Sequence, residues 1–235
     1  FQMGGLRIDP ECRTSLPGLY AAGEDAGGVH GANRLGGNGV AESIVFGAVA
    51  GTTMARELAA AAPRPSSAEA KRTAARLDAR EGSANPFRLR RDLGAVAWDH
   101  LGIIRSRDGL AQAGRELDRI EQVLGAVGIP AERAGDAAFN ERLNLENLLE
   151  VSRLIGLAAT LREESRGSHY REDFPETSPE GLFNTCLRRA PDGTITAERR
   201  PVRFTRRRPE DLKGETVIPT DKATPAAVAA QSTEI

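Results

Sequence analysis

Cysteine is nearly absent from the 235 residues: Cys12 and Cys186 lie far apart and outside any CxxC pattern. That usage excludes a disulfide framework and suits a reducing compartment. The 3 histidines are scattered and give no ligand spacing, so no metal centre is expected. Aromatics make up 4 % of the chain, with a single tryptophan. No run approaches the roughly 18 apolar residues of a membrane span, and no signal-peptide pattern opens the sequence. An excess of either charge is missing too. Lysine and arginine number 32 against 33 acidic residues, a net charge of −1, so there is no global electrostatic case for nucleic acid or a lipid surface. An initiator methionine is also lacking. The chain opens FQMGG and is expected to be a piece of something longer.

What the sequence does have is glycine, and much of it falls in one stretch, GGVHGANRLGGNGVAES at residues 27–43. Upstream, residues 1–24 read as short extended segments joined by turns, with LYAAGE a short buried strand ending at glycine. Downstream, residues 40–61 carry apolar residues at helical spacing, with small Gly47, Ala48 and Gly51 that let a helix approach a sheet or ligand closely. The glycine loop therefore joins a strand to the start of a helix. Residues 59–86 are polar and alanine-rich, with prolines near both ends, and read as a linker to a partly helical surface segment.

Three helix patterns follow. The first begins at Asn85 as N-cap with Pro86 at the first helical position. The second places Leu110, Ala113, Leu117, Ile120 and Leu124 along one face. The longest offers Leu145, Leu148, Leu149, Val151, Leu154 and Ile155 for a core. Short connections imply antiparallel neighbours, hence a three-helix bundle. Beyond Gly167 the chain is irregular with strand-like fragments, and residues 212–235 read as a disordered tail.

A strand, a glycine-rich loop and a helix start make an anion site, because bare backbone N–H groups and the helix dipole converge there. The spacing is neither a Walker A loop nor a clean GxGxxG. Arg34 stands between the glycines, where a guanidinium can present two donors to a carboxylate or phosphate. The alternative is a tether from Arg34 to Glu24 or Glu42, and residue chemistry weighs the two evenly. His30 reads as a hydrogen-bonded loop residue ahead of a proton carrier. In ESRGSHYRED, the cluster of Arg166, His169 and Arg171 reads as a buried polar staple between the helical bundle and the N-terminal domain, or else as a group near an active-site face or a partner interface. The six arginines of ERRPVRFTRRR, residues 198–208, read as a solvated or acidic-partner-facing strand.

PGLYAAGED followed by GGVHGANRLGGNGVAESIVFGAVAG resembles the flavin-binding end of the succinate dehydrogenase, fumarate reductase and L-aspartate oxidase flavoproteins. MGG at Met3–Gly5, NPFRLRRDLGAVAWDHLGIIRSRDGL and ESRGSHYREDFP resemble further segments of that family, in order, over roughly residues 1–176. The resemblance implies an α/β fragment: the C-terminal portion of a Rossmann-like FAD-binding domain (1–62), a linker (63–84), a three-helix-bundle C-terminal domain (85–176), an irregular or strand segment (177–211) and the tail (212–235). It implies FAD as cofactor, with Met3, Gly4, Gly5, Glu24, Asn33, Asn38, Gly39 and Val40 around it, and Arg34 gripping a carboxylate of a dicarboxylate substrate. No catalytic residue is expected within the chain.

That family's arginine proton donor, its N-terminal glycine fingerprint and the histidine before Phe1 belong to the expected upstream half. Many family members carry serine and leucine at the places of Gly39 and Val40, a change that backbone contacts survive and a hydroxyl contact would not. The implied chemistry is hydride transfer between flavin and a C4-type dicarboxylate, or oxidation of an amine C–N bond if the chain is aspartate-oxidase-like. The implied partners are the upstream half and an iron–sulfur subunit, in the cytoplasm or at the inner face of the membrane through partner subunits. The competing reading is a non-catalytic helical assembly module with a vestigial flavin loop.

Overall fold

The computed structural model describes residues 2–57, 79–132, 135–190 and 192–204, with single residues at 68, 71, 75, 77, 208 and 211. Most of the expected linker and all of the expected tail lie outside these. Residues up to Pro201 form one unit and Val202–Ile235 another.

Two short parallel strands, β1 (Leu6–Arg7) and β2 (Ala26–Gly27), pair Leu6 with Ala26 and Arg7 with Gly27. Glycine is required for the backbones to meet just before that register. A Cβ on Gly5 would lie 2.7 Å from the Ala26 carbonyl carbon, and one on Gly27 would lie 2.8 Å from Gly5 N. The segment expected as a buried strand, LYAAGE, is instead a single antiparallel bridge (Arg13 to Tyr20) followed by a 3-10 turn, Gly23–Asp25. Gly23 causes the break: its φ is +80°, outside the extended region, and it seats against the Ser43 side chain.

Helix α1 (Asn38–Glu57) follows the glycine loop. Its far end is tied back to the first segment by Arg13, which donates to Glu57 Oε1 at 2.6 and 2.8 Å, while the Tyr20 hydroxyl donates to Glu57 Oε2 at 2.5 Å.

Helices α2 (Pro86–Leu101), α3 (Arg107–Gly125) and α4 (Ala137–Leu161) pack pairwise on one another. Each start is capped by a side-chain oxygen that satisfies orphan N–H groups: Asn85 for Phe87 and Arg88, Ser106 for Gly109, Asp136 for Phe139. On α3 the buried residues are the five of the expected stripe. They meet Leu89, Leu93 and Leu101 of α2 and Leu145 and Leu149 of α4 in one core. Val151 departs from expectation and is 50 % exposed. On α4 it lies two residues past Leu149, on the side away from the core, since a helix turns about 100° per residue.

Between α2 and α3 runs strand β3 (Ile104–Arg105), paired in parallel with β4 (Tyr170–Arg171) from the segment after α4. The chain then forms an antiparallel hairpin, β5 (Phe183–Arg189) and β6 (Ile195–Pro201), in register from Phe183–Pro201 to Arg189–Ile195. Among the described residues no helix is long and apolar enough to cross a membrane.

Candidate functional site

The glycine loop lies between β2 and α1, and the first segment folds against it. Met3 Sδ accepts the Arg34 N–H at 3.2 Å, and Glu24 Oε1 accepts the Gln2 N–H at 2.6 Å. Arg34 Nη1 also donates to the Leu35 carbonyl at 3.2 Å. The segment carrying Met3 and Gly5 thus meets Glu24 and Arg34 in one region, through contacts 22 and 31 residues apart. Gly4 lies in the same segment, and Asn33 is exposed on the loop.

Asn38, Gly39 and Val40 open α1. Asn38 N–H donates to Leu35 O at 3.2 Å and Ala41 N–H to Gly37 O at 3.5 Å. Between them, the N–H groups of Gly39 and Val40 have no intrahelical acceptor, because a first turn has none to offer. Around these donors the surface is bare or apolar. Neither Gly36 nor Gly37 has an atom within 4 Å of where a Cβ would stand, and Leu35, Val40 and Ile44 are 72, 70 and 68 % exposed.

Beneath the loop, His30 Nε2 and Glu42 Oε2 lie 2.5 Å apart, both side chains buried. This favours the reading of His30 as a hydrogen-bonded loop residue. Glu42 was expected only as a tether for Arg34, yet it anchors the loop's histidine to the first turns of α1. The available signal was an acid among apolar residues just inside a helix start.

The ESRGSHYRED segment is held by a dense polar network. Arg171, 1 % exposed, donates two bonds to Asp173 (2.8 and 2.6 Å) and one to the Ala159 carbonyl at 2.9 Å. Glu164, also buried, accepts from Arg162, from Arg166 at 3.0 and 3.1 Å, and from the Ser178 N–H at 2.9 Å. Desolvation pushes the Glu164 carboxyl up, but the Arg166 and Ser178 hydrogen bonds and the Arg166 and Arg162 charges outweigh it, leaving its pKa below the usual value.

Arg105 Nη1 lies 2.7 Å from His169 Nδ1, and His169 Nε2 lies 3.2 Å from the Arg162 carbonyl. An arginine can only donate, so Nδ1 accepts and Nε2 carries the hydrogen: the neutral imidazole. Burial first, then the neighbouring Arg105, Arg162 and Arg171 charges, hold its pKa down against the Arg162 carbonyl bond. Of the cluster Arg171 is buried and Arg166 and His169 are half-buried, and the turn that carries them reaches the glycine loop. Ser168 donates to the Ala32 carbonyl through its N–H at 3.0 Å and its hydroxyl at 3.2 Å.

The loop thus combines bare backbone, open helix-start donors and one arginine. Residues 1–40 match the FAD binding domain family, and residues 90–214 match the family described as fumarate reductase flavoprotein C-term. The chain belongs to this flavoprotein family, that of the succinate dehydrogenases and fumarate reductases. It is 42 % identical over 80 % of its length to a subunit of the fumarate reductase (CoM/CoB) of Methanothermobacter marburgensis, covering 35 % of that protein. It is 35 % identical over 80 % of its length to the L-aspartate oxidase of Synechocystis, covering 36 % of it. Among solved structures, the E. coli quinol fumarate reductase FrdA aligns over 88 % of this chain and 37 % of its own, at 31 % identity and a TM-score of 0.75. The chain thus spans about a third of the length of these relatives.

For FAD the residues present fit. The N–H pair of Gly39 and Val40 offers donors to ring oxygen or nitrogen, while Gly36 and Gly37 leave room for a ring to lie against backbone. Exposed Leu35, Val40 and Ile44 add apolar surface near these donors.

Proposed function

We propose that the chain is the C-terminal portion of an FAD-dependent oxidoreductase of the succinate dehydrogenase and fumarate reductase type. It completes a Rossmann-like FAD-binding domain with residues 1–62 and adds a three-helix-bundle domain over 85–176. The substrate is a C4-type dicarboxylate. What supports this reading is the glycine loop that carries Arg34 and runs directly into the open first turn of α1 at Gly39 and Val40, in the stretch matching the FAD binding domain family.

FAD, when bound, supplies the hydride acceptor or donor. Gly39 and Val40 would hold the ring from the helix start through backbone donors, so which residues stand at positions 39 and 40 matters little to that contact. Met3, Gly4 and Gly5 form one wall, and Glu24 accepts from a cofactor hydroxyl. Asn33 and Asn38 flank the loop. Arg34 offers a planar two-pronged donor to one substrate carboxylate, fixing the C–C bond relative to the ring and stabilising charge as it shifts. The proton donor, the rest of the cofactor site and an iron–sulfur partner subunit come from outside this chain, and the assembly works in the cytoplasm or at the inner face of the membrane. The similarity to L-aspartate oxidase favours one second reading, oxidation of an amine C–N bond by the same clamp.

The test is made on the full-length flavoprotein. Its visible spectrum is recorded before and after succinate or L-aspartate, for the native protein and for Arg34→Ala. A flavin band that bleaches with one of them names the substrate class. In Arg34→Ala, loss of one charge-assisted pair should remove about 2 kcal/mol of transition-state binding, roughly thirtyfold in kcat/KM. A colourless protein, or unchanged kinetics in the variant, would overturn the reading.

A further inference from the structure

The contact between the ESRGSHYRED segment and the glycine loop is built more firmly than a surface touch. Arg166 N–H donates to the His169 carbonyl at 2.8 Å and His169 N–H returns to the Arg166 carbonyl at 3.1 Å. Gly167 and Ser168 are therefore the two tip residues of a tight hairpin. Its base is rooted on both sides. Arg166 grips buried Glu164, and Arg171 ties the outgoing strand to the last carbonyls of α4 and pairs with β3. Such a base cannot drift with the loop.

The tip hydrogen-bonds to the loop at the carbonyl of Ala32, two residues before Arg34. Both Ser168 donors converge on that oxygen. Gly167 has φ +59°, and a Cβ there would lie 2.5 Å from the Ala32 carbonyl carbon and 2.8 Å from its Cβ. No L-residue fits that approach without moving backbone. We infer that Gly167 and Ser168 are positioning residues for Arg34: the helical region sets the height of the arginine above the flavin site by clamping the Ala32 carbonyl. Since this rests on the proposed dicarboxylate chemistry, the experiment must separate the two.

The full-length flavoprotein is prepared as native, Gly167→Ala, Ser168→Ala, Arg34→Ala and the double variant Gly167→Ala/Arg34→Ala. Gly193→Ala serves as control, since Gly193 also has positive φ, at +89°, but faces open space in the β5–β6 hairpin. Flavin content, thermal stability and kcat and KM for the dicarboxylate are measured for each. Displacement of the arginine by an ångström-scale shift should lower kcat/KM in Gly167→Ala at full flavin content by about 10-fold, and by no more than the roughly thirtyfold expected for Arg34→Ala. The loss should fall mainly in KM, and Ser168→Ala should show a smaller loss of the same kind. In the Arg34→Ala background, Gly167→Ala should cost nothing further, because the residue it positions is gone. Gly193→Ala should leave KM unchanged.

If the native protein shows no dicarboxylate turnover, the proposed function falls and this inference with it. If the native protein turns over and Gly167→Ala keeps its KM, or is equally damaging without Arg34, the inference alone falls. Should Gly167→Ala fail to fold, Ser168→Ala decides by the same KM and double-variant criteria.

Discussion

Replacing Arg171 by methionine tests the polar staple directly. Methionine keeps much of the apolar stem volume but removes the guanidinium. Lost are the fork to Asp173, at 2.6 and 2.8 Å, and the donor to the Ala159 carbonyl at 2.9 Å, the latter at a helix end whose carbonyls have no intrahelical partner. Removing one member of a buried pair costs about 3–5 kcal/mol, and a buried carbonyl left without its donor accounts for about 1–3 of that. Asp173 is 26 % exposed and can turn to water, so the lower end applies, about 3 kcal/mol. In a full-length flavoprotein of which this chain spans about a third, each kcal/mol moves Tm by about 0.7 °C, giving a fall of about 2 °C. Thermal unfolding of the full-length flavoprotein, followed by circular dichroism, reads it. Arg171→Lys should recover less than half, since an ammonium cannot reproduce the planar fork. A Tm for Arg171→Met within about 0.5 °C of native would refute the reasoning.

Two further outcomes are expected. His169 is neutral when folded and its pKa is depressed from 6.5, so below pH 6.5 the unfolded chain binds the extra proton first. Stability should therefore fall as pH drops from 6.5, by at most about 1.4 kcal/mol per pH unit, and His169→Gln should flatten that stretch of the denaturation profile; equal slopes in both would count against it. The two thiols should differ in reactivity. Cys12 is fully buried, and burial first and the Asp9 charge second raise its pKa, whereas Cys186 is half-buried. Mass spectrometry after maleimide treatment should find Cys186 modified and Cys12 untouched until denaturant is added.

Legibility in the sequence followed how local each determinant is. The α3 stripe and the Asn85 cap were readable because both are set by spacings within one element. Val151 was misjudged because α4 is apolar on several sides, and only the position of its neighbours says which side is inward. LYAAGE looked extended by composition, and the positive φ of Gly23 against Ser43 is a tertiary fact. At the site, Arg34 and the helix start stood out as a loop motif. The His30–Glu42 pair, the Met3 contact and the Ala32 clamp did not, since each joins residues that only folding brings together. Arg166, His169 and Arg171 were visible as a cluster, but which of their neighbours touches the loop was not.

The Ala32 clamp also bears on recombination between relatives. A chimaera exchanging residues 86–201 for those of another family member would have to remake the Arg80–Ile129 bridge and the Ala84–Ala126 bond at the junction, and would meet the glycine loop at the Ala32 carbonyl. Success would depend less on matching cores than on whether the donor brings a tip as slim as Gly167 and as rich in donors as Ser168. The helical region is in this sense a gauge for the loop, and swapping it resets the gauge.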